Sequence, residues 1–423
     1  MKIYKFGGAS IKDANGIKNV LKVLREVEIK NVVLVISAMG KMTNAFEKIV
    51  DAYLTDIKSL TDKIDAVKKY HYKVLHDLFL KNTHGIFTEV ELLFFELHGF
   101  LIHNKQKDYN FVYDQIVSQA EQLSTKIISA YLKENGIENR WLDARNFIKT
   151  NSDYREARVN WERTQNCIEK IKNNSTLQIT QGFIGSDRNN FTTTLGREGS
   201  DYSAGIFAYC LNAESVHIFK DVQGVLNADP NVFKNTILLE QISYTEAIEM
   251  AFYGASVIHP KTLQPLQKKE IPLYVKSFKN PKNKGTTVGK GVSLKPKTPC
   301  YIVKENQILL SISTRDFSFM MENNISEIFK LLHHFKLRVH LIQNTAISFS
   351  VCLEDKYLTF ETFLKELKIK YKGLYNKNVT LLTIRHFNKK DIQQIEKINT
   401  VLLKQTSRET VQFIMKKNTH LES

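Results

Sequence analysis

The sequence predicts an α/β protein: a central, mostly parallel sheet flanked by helices, followed by two small α+β units. Three observations predict it. Two short apolar runs, Lys2–Phe6 and residues 32–37, enclose Ile17, Val20, Leu21, Leu24 and Val27 at helical spacing, as in a buried parallel strand pair with its crossover helix. Strand and helix alternate again from Gln115 onward. Beyond residue 300 the order strand, helix, strand occurs twice.

Taken in order, the first run ends in Lys5-Phe6-Gly7-Gly8-Ala9-Ser10, a glycine turn where a strand hands over to a helix. Gly7 and Gly8 present backbone N–H groups without obstruction, so a phosphate can approach closely. From about 54 to 110 the pattern is long, charged and helical, which reads as an inserted hairpin of the kind that shapes a substrate site or a subunit contact. Residues 177–182 and 216–219 read as strands, and residues 200–211 as an apolar-faced helix with Ser200 and Asp201 near its N-cap. Thr194-Leu195-Gly196-Arg197-Glu198-Gly199-Ser200-Asp201 therefore forms a second strand-to-helix turn, carrying a cation and an acid.

Residues 281–299, rich in Lys, Gly, Thr and Pro, have no apolar periodicity and read as a break in texture. After it, Leu310 and Ile312 alternate with serines, Ile325, Ile328, Phe329 and Leu332 mark a helix, and Ile347 to Leu353 alternate again. Residues 379–384, a helical stretch at Ile392 and Ile395, and Val411, Phe413 and Met415 repeat the scheme in a shorter form. That second unit is short enough to need strands from the first unit or from a partner. The expected domains are a first α/β domain at 1–290, a linker at 291–304 and a pair of small α+β units at 305–423.

The composition, 43% hydrophobic and 25% charged over 423 residues, is that of a globular chain of two or three domains. The longest apolar runs have strand length, so no membrane span is expected. The net charge of +16 comes from lysines scattered along the chain, which argues against nucleic acid as a partner. Cys167, Cys210, Cys300 and Cys352 lie far apart without CxxC spacing. Together with a phosphate motif that starts at Lys5, they point to reduced thiols and a cytoplasmic location.

Five segments in order resemble the aspartokinases of the amino acid kinase superfamily. The opening is similar to KFGGTS. Ser37-Ala38-Met39-Gly40-Lys41-Met42-Thr43-Asn44 resembles the family's second loop, and the 194–204 segment its TLGRGGSDxSA. Residues 220–230 resemble TDVxGxxTADP, and residues 254–261 resemble GAKVLHPR. The resemblance implies an amino acid kinase domain with paired ACT-type regulatory units. It further implies transfer of phosphate from ATP to L-aspartate, under feedback by lysine or threonine.

That reaction needs no general base, because the β-carboxylate of aspartate is already ionised near neutral pH. What it needs is two anions held together and charge neutralised on the moving phosphoryl group. Lys5 is the expected catalytic cation, with Gly7 and Gly8 as backbone donors and Asp201 orienting Lys5 or Arg197. Arg197 offers a fork for the α-carboxylate of aspartate. Residues 118–124 resemble GExLS with Ala120 in place of the glycine, which assigns Glu121 to the ammonium group of aspartate; Ser37 and Thr43 resemble the substrate-loop hydroxyls, and Ser200, a helix-capping residue, is also expected at the substrate. Lys220, Asp221 and Lys261 are expected at the nucleotide, with Asp229 a turn residue and His259 a structural loop element. Gln343 and Asn344 resemble the effector-contacting turn of the regulatory units. Mg²⁺ would bridge phosphate oxygens with few protein ligands. A homodimer is expected, since small regulatory units can complete their sheets across a two-fold.

Five departures from the pattern stand out. Glu198 replaces a glycine, Lys220 a threonine, Leu226 an aromatic residue, Asn231 an arginine and Ser256 a lysine. They leave a second reading open, an amino-acid sensor that keeps the fold but turns over poorly.

Overall fold

The computed structural model describes residues 1–172, 175–255, 258–316 and 318–416. They group into two units. The first comprises Met1–Val225, Leu238–Ile248 and Val257–Lys295; the second comprises Leu226–Ile237, Glu249–Ser256 and Pro296–Ser423.

In the first unit eight strands run in the order Gln241–Ser243, Thr286–Gly289, Leu273–Ser277, Ser215–Lys220, Lys2–Phe6, Val32–Ile36, Leu177–Gln181 and Asn139–Leu142. Only the Leu273–Ser277 and Thr286–Gly289 pair is antiparallel. Lys2–Phe6 is central, with Lys5 in register with Val35 on one side and Ile218 on the other. Its neighbour Val32–Ile36 is buried at every position, which explains why it reads as a continuous apolar run. Phe6 stacks on Phe219 at 4.7 Å and fixes the end of the sheet where the glycine turn begins.

The crossover helix Ala14–Glu26 is capped by Asp13, whose carboxylate accepts from the amide of Gly16 at 2.8 Å. It buries Ile17, Val20, Leu21 and Leu24, and Val27 falls just past its end. The expected insertion consists mainly of two helices, Leu60–Leu78 and Gly85–His103. They run antiparallel: Lys68 bonds Glu91 at 2.6 Å and, one turn further on, Tyr72 lies against Phe87.

The stretch 281–299 is not wholly irregular. Thr286–Gly289 is a strand of the main sheet between Leu273–Ser277 and Gln241–Ser243. Four residues, three of them Thr or Gly, carry too little apolar pattern to be seen in sequence.

The second unit is a six-stranded antiparallel sheet in the order Arg338–Asn344, Ser348–Glu354, Cys300–Thr314, Tyr371–Arg385, Thr410–Lys416 and Val401–Thr406. Helices Glu322–His334, Phe360–Lys370 and Lys389–Ile398 accompany it. Two fifteen-residue strands serve both halves. The C-terminal part of Cys300–Thr314 pairs with Tyr371 to Asn376, its N-terminal part with Leu381 to Arg385, and the register slips between Lys304 and Leu309. Around the first pairing lies a core of Leu310, Ile312, Ile328 and Phe363; around the second lies one of Leu382, Ile384, Val411 and Phe413. The shorter second half thus obtains its first strand from chain that precedes the first half. That strand begins at Cys300, inside the stretch read as linker.

Candidate active site

Lys5, Ser37, Gly182 and Lys220 stand at or just after the C-terminal ends of parallel strands, where open α/β sheets bind ligands. Lys5, at the end of the central strand, is buried, and its Nζ lies 2.5 Å from Oδ1 of Asp201 in the first turn of helix Gly199–Leu211. Lys220, from the neighbouring strand, approaches the other oxygen of Asp201 at 3.8 Å. Burial opposes ionisation of Asp201, but the two lysines outweigh it and hold its carboxyl below the usual range. Two cations around one anion leave a net positive pocket, which suits a phosphate.

Close backbone approaches hold three loops together. A Cβ on Gly8 would stand 2.6 Å from the carbonyl oxygen of Ala38, so only glycine fits there. Gly40 N–H donates to the Gly8 carbonyl at 2.9 Å, and Ser37 N–H donates to Phe6 at 3.2 Å. The first glycine turn and the Ser37 loop are therefore one structure. Gly182 joins the second turn to it: its amide donates to Ile36 at 2.9 Å, and a Cβ there would meet Ser200 at 2.5 Å. Ser37, Thr43 and Ser200 are each half-buried, with Thr43 in the first turn of helix Met42–Thr55.

Glu121, in the first turn of helix Gln119–Glu134, is buried, and its Oε2 has no hydrogen-bond partner. Burial pushes its carboxyl well above the usual range, and the charge of Lys5 and the amide of Ala38 offset this only in part. An unsatisfied buried carboxylate oxygen beside a phosphate-type pocket is a place for a ligand cation. Arg197 is exposed, between Gly196 at φ 77° and Glu198 at φ 53°.

Glu198 adopts a left-handed backbone, at φ 53° and ψ 28°, with the attendant strain. Its Oε2 accepts from the backbone amide of His259 at 2.9 Å, which ties the second glycine turn to the residue that precedes helix Pro260–Lys269. His259 in turn caps helix Pro260–Lys269, its Nδ1 accepting from Lys261 N–H at 3.2 Å, so its visible role is structural. Lys261 is half-buried in the first turn of that helix, and Asp221 is exposed just after its strand. Ser256 lies outside the described residues. In the second unit Asp229 accepts from the amide of Asn231 at 2.8 Å, the geometry of a turn residue. Gln343 and Asn344 are exposed on the edge strand Arg338–Asn344, in register with Ser350 and Phe349.

Asp114 escaped the motif reading. It is fully buried in helix Tyr109–Val117, and burial raises its carboxyl to about 6 against the hydrogen bonds it accepts. Those bonds come from Thr194 Oγ1 at 2.7 Å, Thr194 N at 2.8 Å and Arg155 N at 3.0 Å. An acid inside the apolar run 111–117 was the available signal.

Residues 1–277 match the amino acid kinase family. The chain is 30% identical over 356 residues to lysine-sensitive aspartokinase 3 of Escherichia coli, covering 83% of this chain and 78% of that one. It is 28% identical over 352 residues to the aspartokinase of Chlamydia pneumoniae, covering 82% and 76%. It superposes on E. coli aspartokinase III in complex with aspartate and ADP with a TM-score of 0.82 at 26% identity, over 98% of this chain and 96% of the other. The chain belongs to the amino acid kinase family, as an aspartokinase. An aspartokinase moves the terminal phosphoryl group of ATP onto the side-chain carboxylate of aspartate, and the Lys5, Asp201 and Lys220 cluster has the charge for that task. Among the described residues of this aspartokinase, no group of three or more His, Cys, Asp or Glu could hold a metal ion, and no helix is long and apolar enough to cross a membrane.

Proposed function

We propose that the aspartate β-carboxylate attacks the γ-phosphorus of Mg-ATP in the pocket bounded by Lys5, Gly8 and Asp201. A new oxygen–phosphorus bond forms, the bond from phosphorus to the β,γ-bridging oxygen breaks, and ADP leaves with that electron pair. No proton moves. Lys5 follows the charge of the transferring group, backbone amides of Gly7 and Gly8 cradle it, and Asp201 fixes the ammonium of Lys5 in place. Mg²⁺, carried in with the nucleotide, would add positive charge at its phosphates and would need few ligands from this chain.

Arg197 grips the α-carboxylate of aspartate, Glu121 its ammonium group, and Ser37, Thr43 and Ser200 complete the substrate loops. Lys220, Asp221 and Lys261 serve the nucleotide. The observation that carries this reading is the orphaned Oε2 of buried Glu121, since an ammonium ligand would supply the missing donor and return the carboxyl to its ionised form. Glu198, which supported the sensor alternative, is held by the amide of His259, so it does not stand as a loose charge in the phosphate turn.

The product, 4-phospho-L-aspartate, leads to lysine, threonine and methionine. One solved relative, E. coli aspartokinase III, was crystallised with lysine and aspartate in its T-state, with a TM-score of 0.81 to this chain. We read lysine as the feedback effector here too, at the exposed edge around Gln343 and Asn344, in a cytoplasmic homodimer. The test is trapping of the acyl phosphate with hydroxylamine in Mg-ATP and L-aspartate, with and without lysine. Aspartate-dependent hydroxamate that falls on adding lysine supports both parts. Wild-type turnover with an unchanged aspartate KM in Glu121→Gln would remove the assignment of Glu121.

A further inference from the structure

Arg155 stands where the backbone favours glycine. Its φ is 71°, a left-handed conformation that strains any residue with a Cβ, and such strain persists only where surrounding contacts hold it. The backbone around it is clamped to the turn that carries Arg197. Its amide donates to Asp114 at 3.0 Å, and the amide of Ala157 donates to the Thr194 carbonyl at 2.9 Å. The Arg155 carbonyl oxygen is 3.3 Å from where a Cβ of Gly196 would stand. The side chain meets a different element. Its guanidinium lies 4.3 Å from the ring centre of Tyr113 and 5.3 Å from that of Tyr109, and Nη2 is 3.6 Å from Oε1 of Glu47. Glu47 is one turn beyond Thr43 on helix Met42–Thr55, so the two share a face. Tyr109 is fixed to the same helix, its hydroxyl donating to Asp51 at 3.0 Å.

We infer that Arg155 is a positioning residue for aspartate, a clasp that sets the distance between the Arg197 turn and the Thr43 end of helix Met42–Thr55. This rests on the aspartate site proposed above, in which Arg197 and Thr43 hold the same substrate. Asp114 fixes the Arg197 turn to helix Tyr109–Val117, and Arg155 carries the linkage on to the helix of Thr43. A half-exposed pair at 3.6 Å contributes little to stability. What it contributes is direction. Stacking on Tyr113 fixes the plane of the guanidinium, and Glu47 fixes which way its nitrogens face. Lysine at this position would keep the charge without the plane, and glycine would relieve the strain without the link.

The experiment is steady-state hydroxamate kinetics on the full chain with Arg155→Met, Arg155→Gly, Arg155→Lys and Glu47→Gln. Arg155→Met keeps the strain and the length of the side chain but removes its charged plane. It should raise the aspartate KM about tenfold, leave the ATP KM within about twofold and lower kcat less than about threefold. Arg155→Gly should raise the aspartate KM as much, although its backbone is relaxed, and Arg155→Lys should recover part of the loss. Glu47→Gln should raise it about threefold alone and not at all on top of Arg155→Met, because Glu47 acts through Arg155. An aspartate KM in Arg155→Met within about twofold of wild type overturns the inference. So do wild-type behaviour of Arg155→Gly, KM values for both substrates rising together, or effects of Glu47→Gln and Arg155→Met that multiply. Hydrogen exchange of the 194–199 amides, measured without substrate, separates the clasp from the aspartate reading. Faster exchange in Arg155→Met, in a protein whose wild type makes no hydroxamate, keeps the clasp and removes aspartate as the substrate. Equal exchange in the two removes the clasp whatever the activity.

Discussion

Asp114 accepts hydrogen bonds from both the amide and the hydroxyl of Thr194, at 2.8 and 2.7 Å. Thr194 is the last residue before Leu195-Gly196-Arg197, and the third donor to Asp114 is the amide of Arg155, whose carbonyl oxygen lies 3.3 Å from where a Cβ of Gly196 would stand. One buried carboxylate thus holds both walls of the loop that carries Arg197. Asp114→Asn keeps the shape but turns a donor toward an amide. It should raise the aspartate KM about tenfold while kcat changes less, with Asp114→Ala worse in both. Steady-state kinetics at saturating ATP decide it; equal losses in kcat and kcat/KM would mean a different role.

The same group predicts a pH dependence. With its carboxyl raised to about 6 by burial, Asp114 gains a proton as pH falls through 6 and can no longer accept all three bonds. The aspartate KM should therefore rise below about pH 6, and Asp114→Asn should flatten that inflection. Stability runs the other way. A raised carboxyl favours the folded state fully below about pH 4, and this contribution, on the order of 3 kcal/mol, is lost as pH climbs through 6. Denaturant unfolding of wild type and Asp114→Asn at pH 4.5 and 7 would expose the opposite trends.

Lys5 and Asp201 form a buried pair, so removing one member leaves the other charge stranded. Lys5→Ala should abolish turnover but also cost about 3 kcal/mol or more, which makes it a poor probe of catalysis. The charge-neutral change of both partners, Lys5→Met with Asp201→Asn, should recover most of that stability and none of the activity. Thermal melts alongside the hydroxamate assay separate the two effects, and recovered activity would show that Lys5 is not the phosphoryl stabiliser.

Gly8→Ala asks whether the two loops must interlock. The new Cβ would stand 2.6 Å from one backbone carbonyl and 3.0 Å from another, neither of which can move alone. Turnover should fall at least 100-fold with less than about 2 kcal/mol lost in stability. A nearly active Gly8→Ala enzyme would be inconsistent with a shared loop structure.

Glu198 combines strain with a tether. Glu198→Gly should relieve about 1 kcal/mol of backbone strain yet free the amide of His259, raising the KM for ATP several-fold. Glu198→Gln keeps an acceptor and should behave like wild type. If Gly and Gln variants show the same ATP dependence, the tether does not matter to the nucleotide.

The legible parts of the fold were those whose signal is local. The strand Lys2–Phe6, the turn at Gly7-Gly8 and the helix after them each occupy consecutive residues, so periodicity and turn chemistry suffice. Asp201 and Glu121 could be named because each sits in a motif. Thr286–Gly289 could not, because its place depends on strands more than ten residues away on one side and more than forty on the other. Asp114 was hidden because its partners, Arg155 and Thr194, are 41 and 80 residues distant. The bond from Glu198 to His259 spans 61 residues and gives no sign in either motif.

The strands Cys300–Thr314 and Tyr371–Arg385 also set a schedule for the growing chain. The N-terminal part of the first strand is synthesised some eighty residues before the segment it pairs with, about 4–16 s at ordinary ribosomal rates. During that interval the segment from Cys300 to Lys304 has an unsatisfied edge while its own continuation is already able to fold with Ser348–Glu354. The later half must then assemble onto an edge the earlier half has oriented. The later half cannot be cut out as a contiguous piece, so duplication or exchange of it alone would have to carry Cys300 to Lys304, which lies on the far side of the earlier half in the chain.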